Sequence, residues 1–413
     1  MERYSEYKDS GIFWVPEIPS NWNIRRLGHI LQKKNRNRLQ NAELLVCTNK
    51  ATVIKRGNSK MGLVAESEEV YQGVRQGDLL IHGMDTWHGA IAISGFDGMC
   101  TPVVHVCTSN ESVGYISFYL RYMAYMKVFK LISNGVRQNT SDFRSWAKVS
   151  VIPLPLPPLS EQQSIVSYLD SKCEKIDKMI DGKEKQIALL QELKQRTIAD
   201  VVTRGLNPDV KMKATNISWL EEIPEHWEMS KISSHFRQRT EKVSDKQYQP
   251  LSVSKLGITP QLDNVALSNA EGCSRKLVKK GDYAVNSRSD RKGSCGVSAY
   301  NGSVSLITIV LEPFNIDGDY IHYLFRSAPW VEEFYRNGKG IVADLWTTNY
   351  QMMKSMYFPV PPISEQRAIV SYINERTEKI DTLTSKLQQE IESIKEYKQR
   401  LISDVVTGQI KVC

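Results

Sequence analysis

Pro157-Pro158-Leu159-Ser160-Glu161-Gln162 opens a stretch that returns 204 positions later as Pro361-Pro362-Ile363-Ser364-Glu365-Gln366. The register then holds without a gap. Ser167-Tyr168 meets Ser371-Tyr372, Ile176-Asp177 meets Ile380-Asp381, Lys194-Gln195-Arg196 meets Lys398-Gln399-Arg400, and Asp200-Val201-Val202-Thr203 meets Asp404-Val405-Val406-Thr407. A repeat of this length decides the architecture before any local signal does. Proline can precede a helix but not sit inside one. Ser160 and Ser364 are placed as N-caps, each with an acidic residue in the turn that follows, so each copy predicts a long helix. In the second copy Ile380, Leu383, Leu387, Ile394, Tyr397 and Leu401 alternate three- and four-residue steps, a heptad seam with Ile391 on its flank. The first copy carries a looser stripe, Ile176, Ile180, Ile187, Leu190, Leu193, Ile198 and Val201, with a kink or frayed turn expected at Asp181-Gly182. An apolar stripe needs a cover. The economical one is the other copy, packed alongside as an intrachain coiled coil; the alternative is two helices that pack separately, each on its own domain.

Working outward, Trp14-Val15-Pro16-Glu17-Ile18-Pro19-Ser20-Asn21-Trp22 is answered by Trp219-Leu220-Glu221-Glu222-Ile223-Pro224-Glu225-His226-Trp227, a shared W-x3-I-P-x2-W. These tryptophans read as packing at a domain edge. Between entry and helix each half holds short alternating apolar stretches, such as Asp78-Leu79-Leu80-Ile81 and Val304-Ser305-Leu306-Ile307-Thr308-Ile309-Val310, with Gly-Asp punctuation. They predict strands and turns, followed by one amphipathic helix per half near Tyr115 to Leu131 and Tyr320 to Arg336. Gly77-Asp78 falls on Gly281-Asp282, Gly89 on Gly293, Ser94 on Ser298, Gly98 on Gly302, Ile116 on Ile321 and Arg121 on Arg326. Framework positions agree while the loops between them differ, the pattern of one scaffold carrying two reading surfaces. The expected fold is mixed α+β: two globular α/β domains, 1–156 and 214–360, separated by helical segments 157–213 and 361–413 that pack as a coiled coil, the whole an internal repeat.

The 413 residues, 41% apolar and 24% charged, describe an ordinary soluble chain long enough for two or three domains. No run approaches the roughly 18 apolar residues of a membrane span, and the N-terminus does not begin a signal peptide. Seven scattered cysteines without a C-x-x-C pair fit reduced thiols in a cytoplasmic protein. The net charge of +8 lies mainly in residues 1–156, which hold 19 basic against 13 acidic side chains, and points weakly to a polyanionic partner such as DNA.

On these residues the chain resembles, over its whole length, the specificity subunit of Type I restriction-modification systems. The proline-led S-E-Q entries repeated a domain apart, the I-P-x2-W starts and the order of variable segment then helix carry the resemblance. It implies that 1–156 and 214–360 are target recognition domains, each reading one half of a split duplex sequence. It also implies that the helices form an antiparallel coiled-coil spacer that relates the halves by a pseudo-twofold axis and docks two methyltransferase subunits, and that two restriction subunits join the complex. S-adenosylmethionine, ATP and Mg would then belong to those partners and no cofactor to this chain. A helix from about Ile176 to Arg204 would be roughly 42 Å long at ~1.5 Å per residue, near one turn of B-DNA and so able to act as a ruler for the unread bases.

Motifs for catalysis are missing. No glycine-rich nucleotide loop occurs, no N/D-P-P-F/Y motif accompanies the proline pairs, and neither His82 with His88 nor Cys100 with His105 and Cys107 has metal-ligand spacing. Catalysis is expected in partner subunits. Candidate DNA contacts are His82, Asp85, Trp87 and His88 in the loop before Gly89, and Asn286, Arg288, Asp290, Arg291 and Lys292 at the equivalent place in the second half. Arg137, Gln138 and Asn139 join them. Equivalent loops with different polar side chains are what two distinct readers need, because Arg favours guanine and Asn or Gln favours adenine. Arg36, Arg38, Lys55, Arg56, Lys60, Arg237, Arg239 and Lys255 are lesser candidates, for phosphate contacts or plain surface. The competing functional reading is a coiled-coil scaffold that assembles other proteins without reading DNA.

Overall fold

Both proline-led stretches fold as single helices in the computed structural model, α1 over Leu159–Arg204 and α2 over Ile363–Val406. The structure describes residues 2–39, 42–57, 68–133, 143–261, 275–340 and 346–412. Asp181-Gly182 does not interrupt α1; a single glycine costs a helix interior about 1 kcal/mol, too little to break 46 residues. The helix also begins well before Ile176. Ser160 and Ser364 lie within the first turns and are not caps: the amides of Glu161 and Gln162 donate to the Pro158 carbonyl, at 2.9 and 3.0 Å, and those of Glu365 and Gln366 to Pro362, both at 2.9 Å.

The chain divides into two units, Met1–Lys183 with Gln388–Cys413, and Glu184–Leu387. Each contains one globular segment, half of α1 and half of α2. In the first unit Lys398 pairs with Asp177 at 2.6 Å and Lys183 with Glu390, so positions that rise along α1 fall along α2. In the second, Lys194 pairs with Asp381 at 2.7 Å, and Gly205, just past α1, lies beside Glu365 in the first turn of α2. The helices therefore pack antiparallel within both units. Ile380 and Leu401 are buried as the seam requires, but Leu383 and Tyr397 are half exposed, and Ile391 is among the most buried positions of the helix. A helix of 3.6 residues per turn drifts off a strict 3.5-residue seam, which moves Ile391 from the flank to the contact line.

The two entry motifs meet the two helix starts. Trp22 and Trp227 are fully buried, and their indole Nε1 groups donate to Glu161 and Glu365, each at 3.0 Å. Glu161 also accepts from Asn21 at 3.3 Å and from the Tyr4 hydroxyl, and Glu365 pairs with His226 at 2.8 Å. The neighbouring Gln162 and Gln366 are buried to the last atom. Their amides donate to the carbonyls of Pro157 and Pro361, at 2.8 and 2.7 Å, and accept from the backbone of Ser112 and Asp317, at 3.0 and 2.8 Å. Tyr115 and Tyr320 complete the join. The Tyr115 hydroxyl lies 2.7 Å from the Pro155 carbonyl and 3.1 Å from that of Val406 at the end of α2, and the Tyr320 hydroxyl 3.1 Å from Pro359 and 3.0 Å from Val202 near the end of α1.

Each globular segment is built on a four-stranded antiparallel sheet. In the first unit β1 (Leu31–Lys34), β2 (Leu79–His82), β3 (Ile91–Ile93) and β4 (Val104–Ser109) lie in the order β1-β4-β2-β3. In the second β5 (Phe236–Gln238), β6 (Tyr283–Asn286), β7 (Cys295–Val297) and β8 (Thr308–Pro313) repeat it as β5-β8-β6-β7. The Gly-Asp turns before β2 and β6 place Gly77 and Gly281 in left-handed backbone, at φ +89° and +92°, where a side chain is strained. Asp78 and Asp282 are buried and each grips a guanidinium, Arg36 and Arg239 respectively. Two of the lesser DNA candidates are thus framework residues. The helices expected near Tyr115 and Tyr320 are each broken in two. Val113–Tyr125 ends before Lys127, at φ +57°, and Val128–Ile132 follows; Gly318–Leu324 ends before Ser327, after which Pro329 starts Ala328–Arg336.

His322, on the first of those last two helices, accepts at Nδ1 from the Val297 amide of β7 at 3.3 Å. Burial, with Arg326 nearby, pushes its pKa down to about 4. An unfolded chain would bind the proton the folded one refuses between about pH 6.5 and 4, so stability is present above that window and is lost as pH falls through it. Urea unfolding midpoints should therefore fall on acidification from pH 7 to 5, and His322→Gln, which keeps an acceptor, should flatten the fall; an unchanged pH profile in the variant would exclude this origin. A second expectation concerns the helix entry. Gln366→Leu strands the Asp317 amide and the Pro361 carbonyl, each worth about 1–3 kcal/mol when buried without a partner, and should lower the urea midpoint far more than the exposed Gln389→Leu.

Candidate nucleic-acid interface

In the first unit β2 runs into a compact 3₁₀ turn, Thr86–His88, closed by Gly89 at φ +77°. It is not an open hairpin tip. His82 turns inward, where its Nδ1 accepts from the Asp85 amide at 3.1 Å, and burial lowers its pKa against the opposing effect of Asp85. Trp87 is half-buried, with its indole nitrogen enclosed and without a hydrogen-bond partner among the described residues. Asp85, whose side chain is 43% exposed, and His88 are the two candidates that present polar atoms to solvent. Arg137, Gln138 and Asn139, and with them the lesser candidate Lys60, lie outside the described residues.

The second unit shapes the same position differently. β6 ends at Asn286, whose side-chain oxygen accepts from the Arg288 amide at 3.1 Å. The 3₁₀ turn Ser289–Arg291 then sets Asp290 between two guanidiniums, with Arg288 Nε at 3.1 Å and Arg291 Nε at 3.8 Å. Arg288 is anchored from behind by a backbone bridge to Thr347. Lys292 turns away to Glu332, at 2.6 Å.

Asn286, Arg288, Asp290 and Arg291 form one wall of a groove of about 580 Å³. The hairpin Leu251–Ser254/Gly257–Pro260 also lines it, through Ser252, Ser254 and Lys255, together with Gln261 and Arg275. Arg275 donates to the carbonyls of Ser303 and Leu251, at 2.8 and 3.3 Å, and burial lowers its pKa. The groove thus joins donors and acceptors from three parts of the chain, as groove-edge recognition of bases requires. Ser252, Ser254, Gln261 and Arg275 were not among the sequence candidates. The alternation in Leu251-Ser252-Val253-Ser254 is the one local signal that could have found two of them, since period two puts both hydroxyls on one face.

Among the described residues no group of His, Cys, Asp and Glu could hold a metal ion, and burial pushes the Cys100 and Cys107 thiols up to about 12. No helix among them is long and apolar enough to cross a membrane.

The family model for the Type I restriction modification DNA specificity domain matches the chain twice, over residues 19–189 and 224–393. A Methanocaldococcus jannaschii protein assigned as the specificity subunit of type I restriction enzyme MjaX is 23% identical, with 96% of each chain covered. The EcoBI specificity subunit of Escherichia coli is 24% identical over 62% of this chain and 58% of its own. Among solved structures, one described under complex assembly and conformational transition of the type I R-M system superposes with a TM-score of 0.69 at 16% identity, covering 95% of this chain and 99% of its own. The HsdS subunit of Thermoanaerobacter tengcongensis gives 0.52, also at 16% identity, covering 95% and 98%.

Proposed function

The chain belongs to the Type I restriction-modification DNA specificity family, and from that premise we propose that it selects the DNA sequence on which a restriction-modification complex acts. Each globular segment reads one half of a bipartite duplex target, and the paired helices set the unread gap and dock methyltransferase subunits. The observation that carries this reading is the contrast between a framework whose contacts recur at equivalent residues, from Trp22/Trp227 to Asp78/Asp282, and the different loops it presents at the Gly89 and Gly293 positions. A pure scaffold has no use for two divergent polar surfaces on one frame. The chain itself carries no catalytic step. Two methyltransferase and two restriction subunits supply the chemistry, with S-adenosylmethionine, ATP and Mg, in the cytoplasm.

Asn286, Arg288, Asp290 and Arg291 are the readers in the second half, with Asp85 and His88 the exposed candidates in the first; His82, Trp87 and Lys292 support their loops. Asp290 holds Arg288 in one direction, which lets a guanidinium address a guanine edge without first being ordered. Co-expression with a methyltransferase subunit in a methylation-free host should yield a split motif with a fixed gap, modified once on each strand, when genomic DNA is sequenced for modified adenine. A stable complex that leaves no such motif, and binds no duplex preferentially, would refute the proposal. In the same assay Arg288→Ala should relax one position of one half-site, at a cost of about 1–3 kcal/mol in duplex binding.

A further inference from the structure

Two clefts, one in each unit, share a set of lining residues that are repeat mates, with Trp87 and His88 of the reading loop also lining the first. In the first unit Arg121, Lys398 and Gln399 line a cleft of about 310 Å³ beside the Thr86–His88 turn, with Gly89 and Lys50 at its edge. In the second unit Arg326, Lys194 and Gln195 line one of about 600 Å³, with Gly293 and Lys255. Arg121 and Arg326, Lys398 and Lys194, Gln399 and Gln195, and Gly89 and Gly293 are repeat mates. The loops above them are not.

The lining is cationic. No carboxylate lines the first cleft among the described residues, and Glu332 in the second is already taken by Lys292. Lys398 and Lys194 are tied to Asp177 and Asp381, but the side-chain amides of Gln399 and Gln195 have no hydrogen-bond partner among the described residues. Arg326 is pinned by the carbonyls of Cys295 and Lys255, at 2.8 and 2.6 Å. Its mate Arg121 is largely buried and has neither hydrogen bond nor ion pair among the described residues; its contact is the Phe118 ring, 5.2 Å from the guanidinium carbon, with Asp170 and Asp177 acting only through space.

A ligand taken in the same way by both halves is not a base sequence, because the reading loops differ. It is an anion available at both half-sites. We propose that each cleft seats a phosphate of the DNA backbone, so that the helix pair itself touches the duplex beside each reading loop. The proposal rests on the DNA-reading function above and deepens it. Arg, Lys and Gln side chains are ordinary phosphate partners, and such contacts set register without carrying sequence. A desolvated guanidinium gains most from a charged acceptor, which gives Arg121 the partner that the described residues do not supply.

The test uses the full-length chain assembled with methyltransferase subunits, bound to labelled duplexes with and without the mapped target over a salt series. Gln399→Glu sets a negative charge beside the seat and should weaken both duplexes by one common factor, about eightfold near 0.1 M salt for one lost contact at a log–log slope of ~0.9. Gln399→Lys should steepen that slope by ~0.9, and Gln195→Glu should repeat the loss in the second unit. Opposite effects of the two Gln399 variants, at matched unfolding midpoints, separate charge from misfolding. Loss on the target duplex alone would make the cleft a base reader and overturn the proposal. Unchanged DNA affinity overturns it too: with weakened assembly the occupant is an acidic segment of a partner subunit, and with intact assembly the cleft is packing only. Failure of the unaltered complex to bind DNA would instead refute the function on which the proposal rests.

Discussion

A carboxylate at a helix start, held by the indole of a distant buried tryptophan, is the contact on which each half of this molecule depends. The first turn of a helix leaves backbone N–H groups unpaired and favours negative charge. Glu161 and Glu365 supply that charge, and its partial desolvation is offset by the indoles of Trp22 and Trp227, with Tyr4 and Asn21 on Glu161 and His226 on Glu365. The glutamine that follows then has a fixed origin from which to bridge the proline carbonyl behind it and the globular segment in front. Remove the carboxylate and the indole, the glutamine and the helix direction lose their common reference.

The same joint explains why neither unit is made from one copy of the repeat. Tyr115 reaches the end of α2 and Tyr320 the end of α1, so each globular segment is held by the start of the helix that follows it and the finish of the other. The interhelical pairs obey the same exchange, Asp177 with Lys398 and Asp381 with Lys194. Between the joints the Asp78–Arg36 and Asp282–Arg239 pairs brace the sheets. All of these contacts are internal, and all are repeated. What varies is what a rigid frame leaves free to vary: a closed turn around Thr86–His88 in one unit, an Arg-Asp-Arg cluster facing a serine-lined hairpin in the other.

The repeat, the helices and the mixed α+β class were legible in the residues because register over a long stretch is a linear property, whereas the antiparallel direction of the pairing came only with the family resemblance. The paired glycines and prolines marked the turns for the same reason. The candidate site was legible only in part. Asn286, Arg288, Asp290 and Arg291 were found because they are contiguous, whereas Ser252, Ser254, Gln261 and Arg275 reach the same groove from elsewhere in the chain. Misreadings arose where a residue's partner is remote. Arg36 and Arg239 looked like surface cations until Asp78 and Asp282 claimed them, Ser160 looked like a cap until the Pro158 carbonyl took its place, and Ile391 looked peripheral until helix drift brought it to the seam.

By itself, then, the sequence determined that the molecule is a doubled frame with unlike loops, since periodicity, proline and glycine act on their own neighbourhood. Only the tertiary structure decided which polar side chains are spent inside and which remain for a ligand. Whether Arg239 is a strut and Arg121 a guanidinium without an ion pair among the described residues depends on carboxylates dozens of residues away, and the energy of a charge is set by what surrounds it, not by what precedes it in the chain.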